Sequence, residues 1–166
     1  MPENTNGIAD HSANPTFEYN KITEQIYLGT NACCTVHFDN DLLKAGVRAD
    51  ISMEAERIDA ADGAEYFLWL PTIDHTAPTM QKLRVGTHAI RELIETGEKV
   101  YVHCRNGHGR GPSLVIAYFI LLGDDYETAF TKVKEKRPVI HLDDVQVDRL
   151  KEFETWCREH HMQDAE

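Results

Sequence analysis

The sequence predicts an α/β fold: a single domain with a central, mostly parallel sheet and helices on both faces. Three observations carry that expectation. Short apolar runs alternate with helix-period stretches along almost the whole chain. A length of 166 residues with 42% hydrophobic content supplies one core and leaves no room for two catalytic domains. One strand-type run ends in a glycine-bearing loop that opens directly into an apolar helix, and in α/β sheets ligands gather at the carboxyl ends of strands.

Residues 1–16 are polar, lack periodicity and read as a disordered arm, leaving 17–162 as the folded unit. The runs QIYLGT, VRADISM, EYFLWLP and KVYVHC, each bounded by turn or charged residues, read as strands. Between the first two, DNDLLKAG from Asp39 to Gly46 is a short helix closed by glycine, the natural crossover. From Thr79 to Gly97, Met80, Leu83, Ile90, Leu93 and Ile94 recur at helical spacing. GPSLVIAYFILLG is apolar nearly all round and too short to span a bilayer, so it predicts a helix buried on most sides. Asp124 and Glu127 form a capping-box-like start for a helix that Lys132, Lys134 and Lys136 favour at its far end and Pro138 stops. A last helix from about Asp143 presents Val147, Leu150, Phe153 and Cys157 on one face, making Cys157 a core thiol.

Composition narrows the function. Seventeen basic against 28 acidic side chains give a net charge of −11, which disfavours nucleic acid and anionic membranes as partners. No apolar run reaches transmembrane length, and the start MPENTNGIADHSANP lacks both parts of a signal peptide, so a soluble, cytoplasmic protein is expected. The four cysteines have no zinc-site spacing, Cys33 and Cys34 being adjacent and Cys104 and Cys157 alone, and reduced thiols are expected.

Chemistry concentrates in VYVHCRNGHGRGPSLVIAYFI. A strand, a tight loop and a helix with Pro112 in its first turn make an anion cradle. Amides of Arg105, Asn106, Gly107, His108, Gly109 and Arg110 can turn inward around three phosphate oxygens, with Gly107 and Gly109 permitting the close turns. Arg110 brings a planar fork suited to a transferring phosphoryl group. Cys104 stands at the loop's entry, where a helix N-terminus and nearby cations favour the nucleophilic thiolate. His103, beside it, is expected to fix Cys104 by hydrogen bonding, and no acidic residue interrupts Lys99 to Leu122. Asp74 ends an apolar strand before a Pro-containing loop, where a carboxyl could serve as general acid or as a turn cap; His75 is a second candidate acid.

The segment HCRNGHGR resembles the His-Cys-x-x-Gly-x-x-Arg signature of the protein tyrosine phosphatase superfamily and looks like its small dual-specificity branch. QIYLGTNA, Arg137-Pro138 and the loop LPTIDHTAPT extend the likeness over roughly Phe17 to Cys157. The resemblance implies cysteine-dependent hydrolysis of phosphomonoesters through phosphocysteine, with Cys104 as nucleophile, Arg110 holding the equatorial oxygens and Asp74 as general acid. It implies no metal and no cofactor. Its expected substrates are phosphoproteins, with phosphorylated lipids or inositols as the alternative, because Arg105 and His108 fall where phosphoinositide phosphatases carry basic residues. Two positions depart from the family pattern. Gly111 replaces the usual Ser or Thr after the loop arginine, with Ser113 a possible substitute, and VIHLD at 139–143 replaces a Pro-Asn pair.

Two other classes compete. A phosphate-binding module with little turnover is favoured by Gly111 alone, and a rhodanese-type sulfurtransferase has a shorter loop and no need of Asp74. Cys33 and Cys34 could also trap an oxidised Cys104.

Overall fold

A computed structural model describes residues 16–164; the N-terminal arm expected at 1–16 lies, but for Thr16, outside the described residues. Five strands form one sheet: β1 (Tyr19–Lys21), β2 (Ile26–Gly29), β3 (Val47–Glu54), β4 (Tyr66–Thr72) and β5 (Lys99–His103), in the order β1-β2-β5-β3-β4. β2, β5, β3 and β4 run parallel, while β1 pairs antiparallel on the edge. The helices are α1 (Asn40–Lys44), α2 (Met80–Glu95), α3 (Arg110–Leu121), α4 (Tyr126–Lys136) and α5 (Asp144–Asp164), with a 3-10 turn at Asn31–Cys34. All four expected strands and all five expected helices are present. β1 went unforeseen because its three residues, two half-buried and one exposed, carry no alternation.

Alternation along the strands divides the core. Val100 and Val102 of β5, Ile26 and Leu28 of β2, and Ala49 and Ile51 of β3 share one apolar cluster with Leu114, Val115 and Ala117 of α3. The intervening Tyr27 and Tyr101 join Cys33, Cys34, Phe38 and Leu42 on the other face. Helices thus cover both sides of the sheet. Every residue of α3 is buried, as its apolar circumference predicts. Cys157 is 3% exposed, and burial pushes its thiol up to about 11, which makes it inert at neutral pH.

Local chemistry sets the helix starts. Asp39 caps α1, accepting from the amides of Asp41 and Leu42, and Thr79 caps α2, accepting from Lys82. The cap of α4 is Asp125, whose carboxylate accepts from the Thr128 amide at 2.8 Å. Asp124, expected in that place, instead pairs with Lys132 at 2.6 Å. Among the described residues no helix is long and apolar enough to cross a membrane.

Candidate active site

β5 ends at His103, Cys104 follows, and residues 105–109 fold into a loop that hands the chain to α3 with Gly109 as its N-cap. Gly109 offers no side-chain cap, so the first amides of α3 stay available to an anion. Cys104, Asn106, His108, Gly109 and Arg110 line a cleft with Asp74 and His75, and His141, Asp143 and Gln146 complete the wall. Arg105 and Gly107 stand outside that wall. Gly107 has φ +69, and a Cβ there would lie 2.6 Å from the Gly29 carbonyl oxygen, so only glycine lets the loop pack on β2.

Arg110 is 2% exposed. Its Nη1 donates to Glu56 Oε1 at 2.8 Å, Glu56 Oε2 at 3.1 Å and the Thr72 carbonyl at 2.8 Å, and its Nε lies 3.4 Å from Asp74 Oδ1. Burial works against its charge, but Cys104, Glu56 and Asp74 outweigh it and raise the guanidinium pKa. Asp74 is half-exposed at the rim, and its Oδ1 accepts from the His75 amide at 3.0 Å. His75 takes the left-handed conformation, φ 62, and its Nδ1 lies 3.0 Å from Asp143 Oδ2, pinning the loop to the start of α5.

His103 is fully buried behind Cys104. Its Nδ1 faces the Cys104 carbonyl at 3.3 Å, and its Nε2 lies 2.6 Å from Asp59 Oδ2 and 3.1 Å from Asp50 Oδ1, the latter outside hydrogen-bonding alignment. Burial disfavours the imidazolium, yet the two carboxylates prevail and hold its pKa well above the ordinary histidine value. Burial pushes Asp50 the other way, up to about 7.

The loop is braced from outside as well. Buried Arg137 donates through Nε to the Gly107 carbonyl at 2.9 Å and through Nη2 to that of Asn106 at 3.1 Å. The same guanidinium reaches Asn20 Oδ1 and Glu18 Oε1, each at 2.8 Å. Gly111 leaves little space: a Cβ would meet Leu28 Cδ1 at 3.2 Å and the backbone of His103 and Cys104 at 3.3 Å. Ser113 cannot stand in for a hydroxyl at 111, because its Oγ donates back to the Gly109 carbonyl at 2.6 Å. The segment 139–143, irregular against the family pattern, supplies cleft wall: the His141 amide donates to the His108 carbonyl at 2.9 Å and the two imidazoles pack 5.2 Å apart.

Sequence reading brought Cys104, Asn106, His108, Gly109, Arg110 and Asp74 to one cleft. It missed Glu56 and Gln146. Nothing local marks Glu56, which meets Arg110 across 54 residues. Gln146 is 1% exposed on the first turn of α5, an unusual place for a buried amide and the one signal available.

Residues 26–156 match the model of the dual specificity phosphatase catalytic domain, and the chain belongs to that family. It is 30% identical to a putative tyrosine phosphatase, 123R, of Invertebrate iridescent virus 6, over 84% of this chain and 94% of the viral protein. Over 52% of this chain it is 36% identical to the human phosphatidylglycerophosphatase and protein-tyrosine phosphatase 1, of which it spans 44%. The crystal structure of PTPMT1 in complex with PI(5)P superposes with a TM-score of 0.74 at 25% identity, covering 86% of this chain and 98% of that one. The domain is therefore a cysteine-dependent phosphatase.

Proposed function

We propose that the domain hydrolyses phosphomonoesters of proteins, phosphotyrosine together with phosphoserine and phosphothreonine, and simple aryl phosphates. The observation that carries the reading is the shared cleft of Cys104, Arg110 and Asp74 at the N-terminus of α3. Cys104 Sγ attacks phosphorus in line, the bond to the leaving oxygen breaks, and Asp74 gives that oxygen its proton. Loop amides and Arg110 hold the equatorial oxygens as charge redistributes. Asp74, now ionised, takes a proton from water, which attacks phosphocysteine and releases phosphate and the thiolate.

A second reading, a phosphorylated lipid or inositol substrate, draws support from the His108–His141 pair beside the loop and from relatives whose names include a phosphatidylglycerophosphatase. A panel of phosphotyrosine peptides, phosphothreonine peptides and phosphoinositides, with Cys104→Ser as blank, decides between them. Turnover of peptides above lipids is expected. Lipid turnover exceeding that of every peptide would replace the first reading with the second, and absence of turnover on all three would overturn both.

A further inference from the structure

Behind the cleft, on the face of the sheet turned away from α3, the side chains of Cys33, Cys34, Asp50, Asp59 and His103 converge. One donor atom from each lies within 4.8 Å of all the others, and every one of these residues is buried. They come from the 3-10 turn, β3, the β3–β4 connection and the end of β5, so sequence spacing gave no hint of them.

Four features of the cluster point to a metal. Two sulfurs, an imidazole and a carboxylate are the donor set of a borderline-soft divalent cation. A four-coordinate zinc with bonds of about 2.0–2.3 Å needs donors about 3.3–3.8 Å apart. Cys34 Sγ stands 3.5 Å from Asp50 Oδ2 and His103 Nε2 stands 3.1 Å from Asp50 Oδ1, already near that spacing. His103 Nδ1 faces the Cys104 carbonyl, so a proton kept there has a backbone acceptor, while Nε2, hydrogen-bonded to Asp59 Oδ2 at 2.6 Å, ligates by giving up its proton. Finally, Asp50 Oδ1 is buried without a hydrogen bond, and a cation removes the cost of burying such an oxygen. Asp59 Oδ2 is 2.6 Å from His103 Nε2, closer than two ligands of one ion stand, and Arg57 lies 3.6 Å from Asp59 Oδ1. Asp59 accordingly pairs with Arg57 beside the ion rather than on it.

We propose that the reduced form of this cluster binds one zinc-type divalent cation through Cys33 Sγ, Cys34 Sγ, His103 Nε2 and an Asp50 oxygen. In the structure the two sulfurs are bonded to each other, which corrects the expectation of reduced thiols for this pair: the two adjacent cysteines are folded together in the 3-10 turn, while Cys104 and Cys157 remain free. A dithiol reductant supplies two electrons and two protons, opening the Cys33–Cys34 bond and becoming a disulfide itself. The ion then displaces one proton from each thiol and the Nε2 proton of His103 as two metal–sulfur bonds and one metal–nitrogen bond form, three protons passing to solvent. Oxidation by a thiol oxidant reverses the sequence and releases the ion. The site is structural, one residue behind Cys104, and does not depend on the phosphatase reading or on turnover.

The test titrates zinc into the full chain after dithiol reduction and chelator stripping, and repeats it with cobalt, whose thiolate charge-transfer and tetrahedral d–d bands report the ligands. About one ion per chain is expected, with Cys104→Ser and Cys157→Ser binding as the parent and Cys33→Ser/Cys34→Ser losing about ten-fold or more in affinity. Where that double variant does not fold, the unsubstituted chain decides: diamide should release the bound zinc while closing the Cys33–Cys34 disulfide. Absence of binding by the reduced chain, zinc retained after diamide, or binding lost in Cys104→Ser would overturn the proposal, the last placing the ion in the phosphate cleft.

Discussion

Glu56 holds Arg110 from behind, with both carboxylate oxygens on one guanidinium nitrogen at 2.8 and 3.1 Å. In the proposed mechanism this contact aims the Arg110 fork, because the remaining nitrogens must face the phosphoryl oxygens. Glu56→Ala should lower kcat by about 10²-fold through misplacement of Arg110 while leaving the fold intact. Steady-state kinetics on p-nitrophenyl phosphate with a thermal melt checks this, and an unchanged kcat would remove Glu56 from any positioning role.

Asp74 sits at the rim, close enough to Arg110 to be oriented and open enough to reach a leaving oxygen. Asp74→Ala should cost about 10²–10⁴-fold on alkyl and phenyl phosphates. Activated aryl esters, which depart unprotonated, should lose far less. Equal losses across a leaving-group series would assign the acid elsewhere.

The His75–Asp143 contact gives the acid loop a pH dependence. Hydrogen bonding to Asp143 and the charges of Asp74 and Asp143 raise the His75 pKa above 6.5, with burial and Arg110 opposing weakly. A raised folded-state value means that the contact is fully present below the ordinary histidine pKa and is lost as pH rises through the folded one. An NMR titration should find the His75 midpoint above 6.5, falling back in Asp143→Asn. Loop amide exchange should quicken across the same pH interval.

Gly111 removes the hydroxyl that the family pattern places next to the loop arginine, and Ser113 is committed elsewhere. Rapid mixing should show a burst of leaving group followed by slow turnover. Gly111→Ser should raise the steady rate but cost about 1–3 kcal/mol, since its Cβ presses on the backbone of His103 and Cys104. Fast turnover without a burst would show that breakdown needs no such hydroxyl.

What could be read from sequence was local. The strand, loop and helix around Cys104 are contiguous, so their pattern survives in one dimension, as does the apolar ring of α3. The α4 cap slipped by one residue because Asp124 and Asp125 are equal candidates until Lys132 claims the first. Glu56 and the carboxylates behind His103 escaped notice because each meets its partner only when parallel strands bring distant segments together, and Gln146 because its amide reaches Thr76, 70 residues away, only once α5 has packed. Asp59 and His103, for instance, are 44 residues apart. A buried carboxylate in a strand such as β3 reads in sequence as an outward-facing one.

The strap formed by Arg137 fixes where a working fragment of this domain has to begin. The family match starts at residue 26, yet Glu18 and Asn20, which anchor the other end of the guanidinium, precede it. A fragment trimmed to the match would retain every group facing the cleft and still lose half of the anchorage of a buried cation that grips two carbonyls of the phosphate loop. Excision of β1 would also uncover the hydrogen-bonding edge of β2, the strand on which Gly107 rests. A fragment meant to keep this anchorage therefore has to reach back at least to Glu18, eight residues before the family match begins.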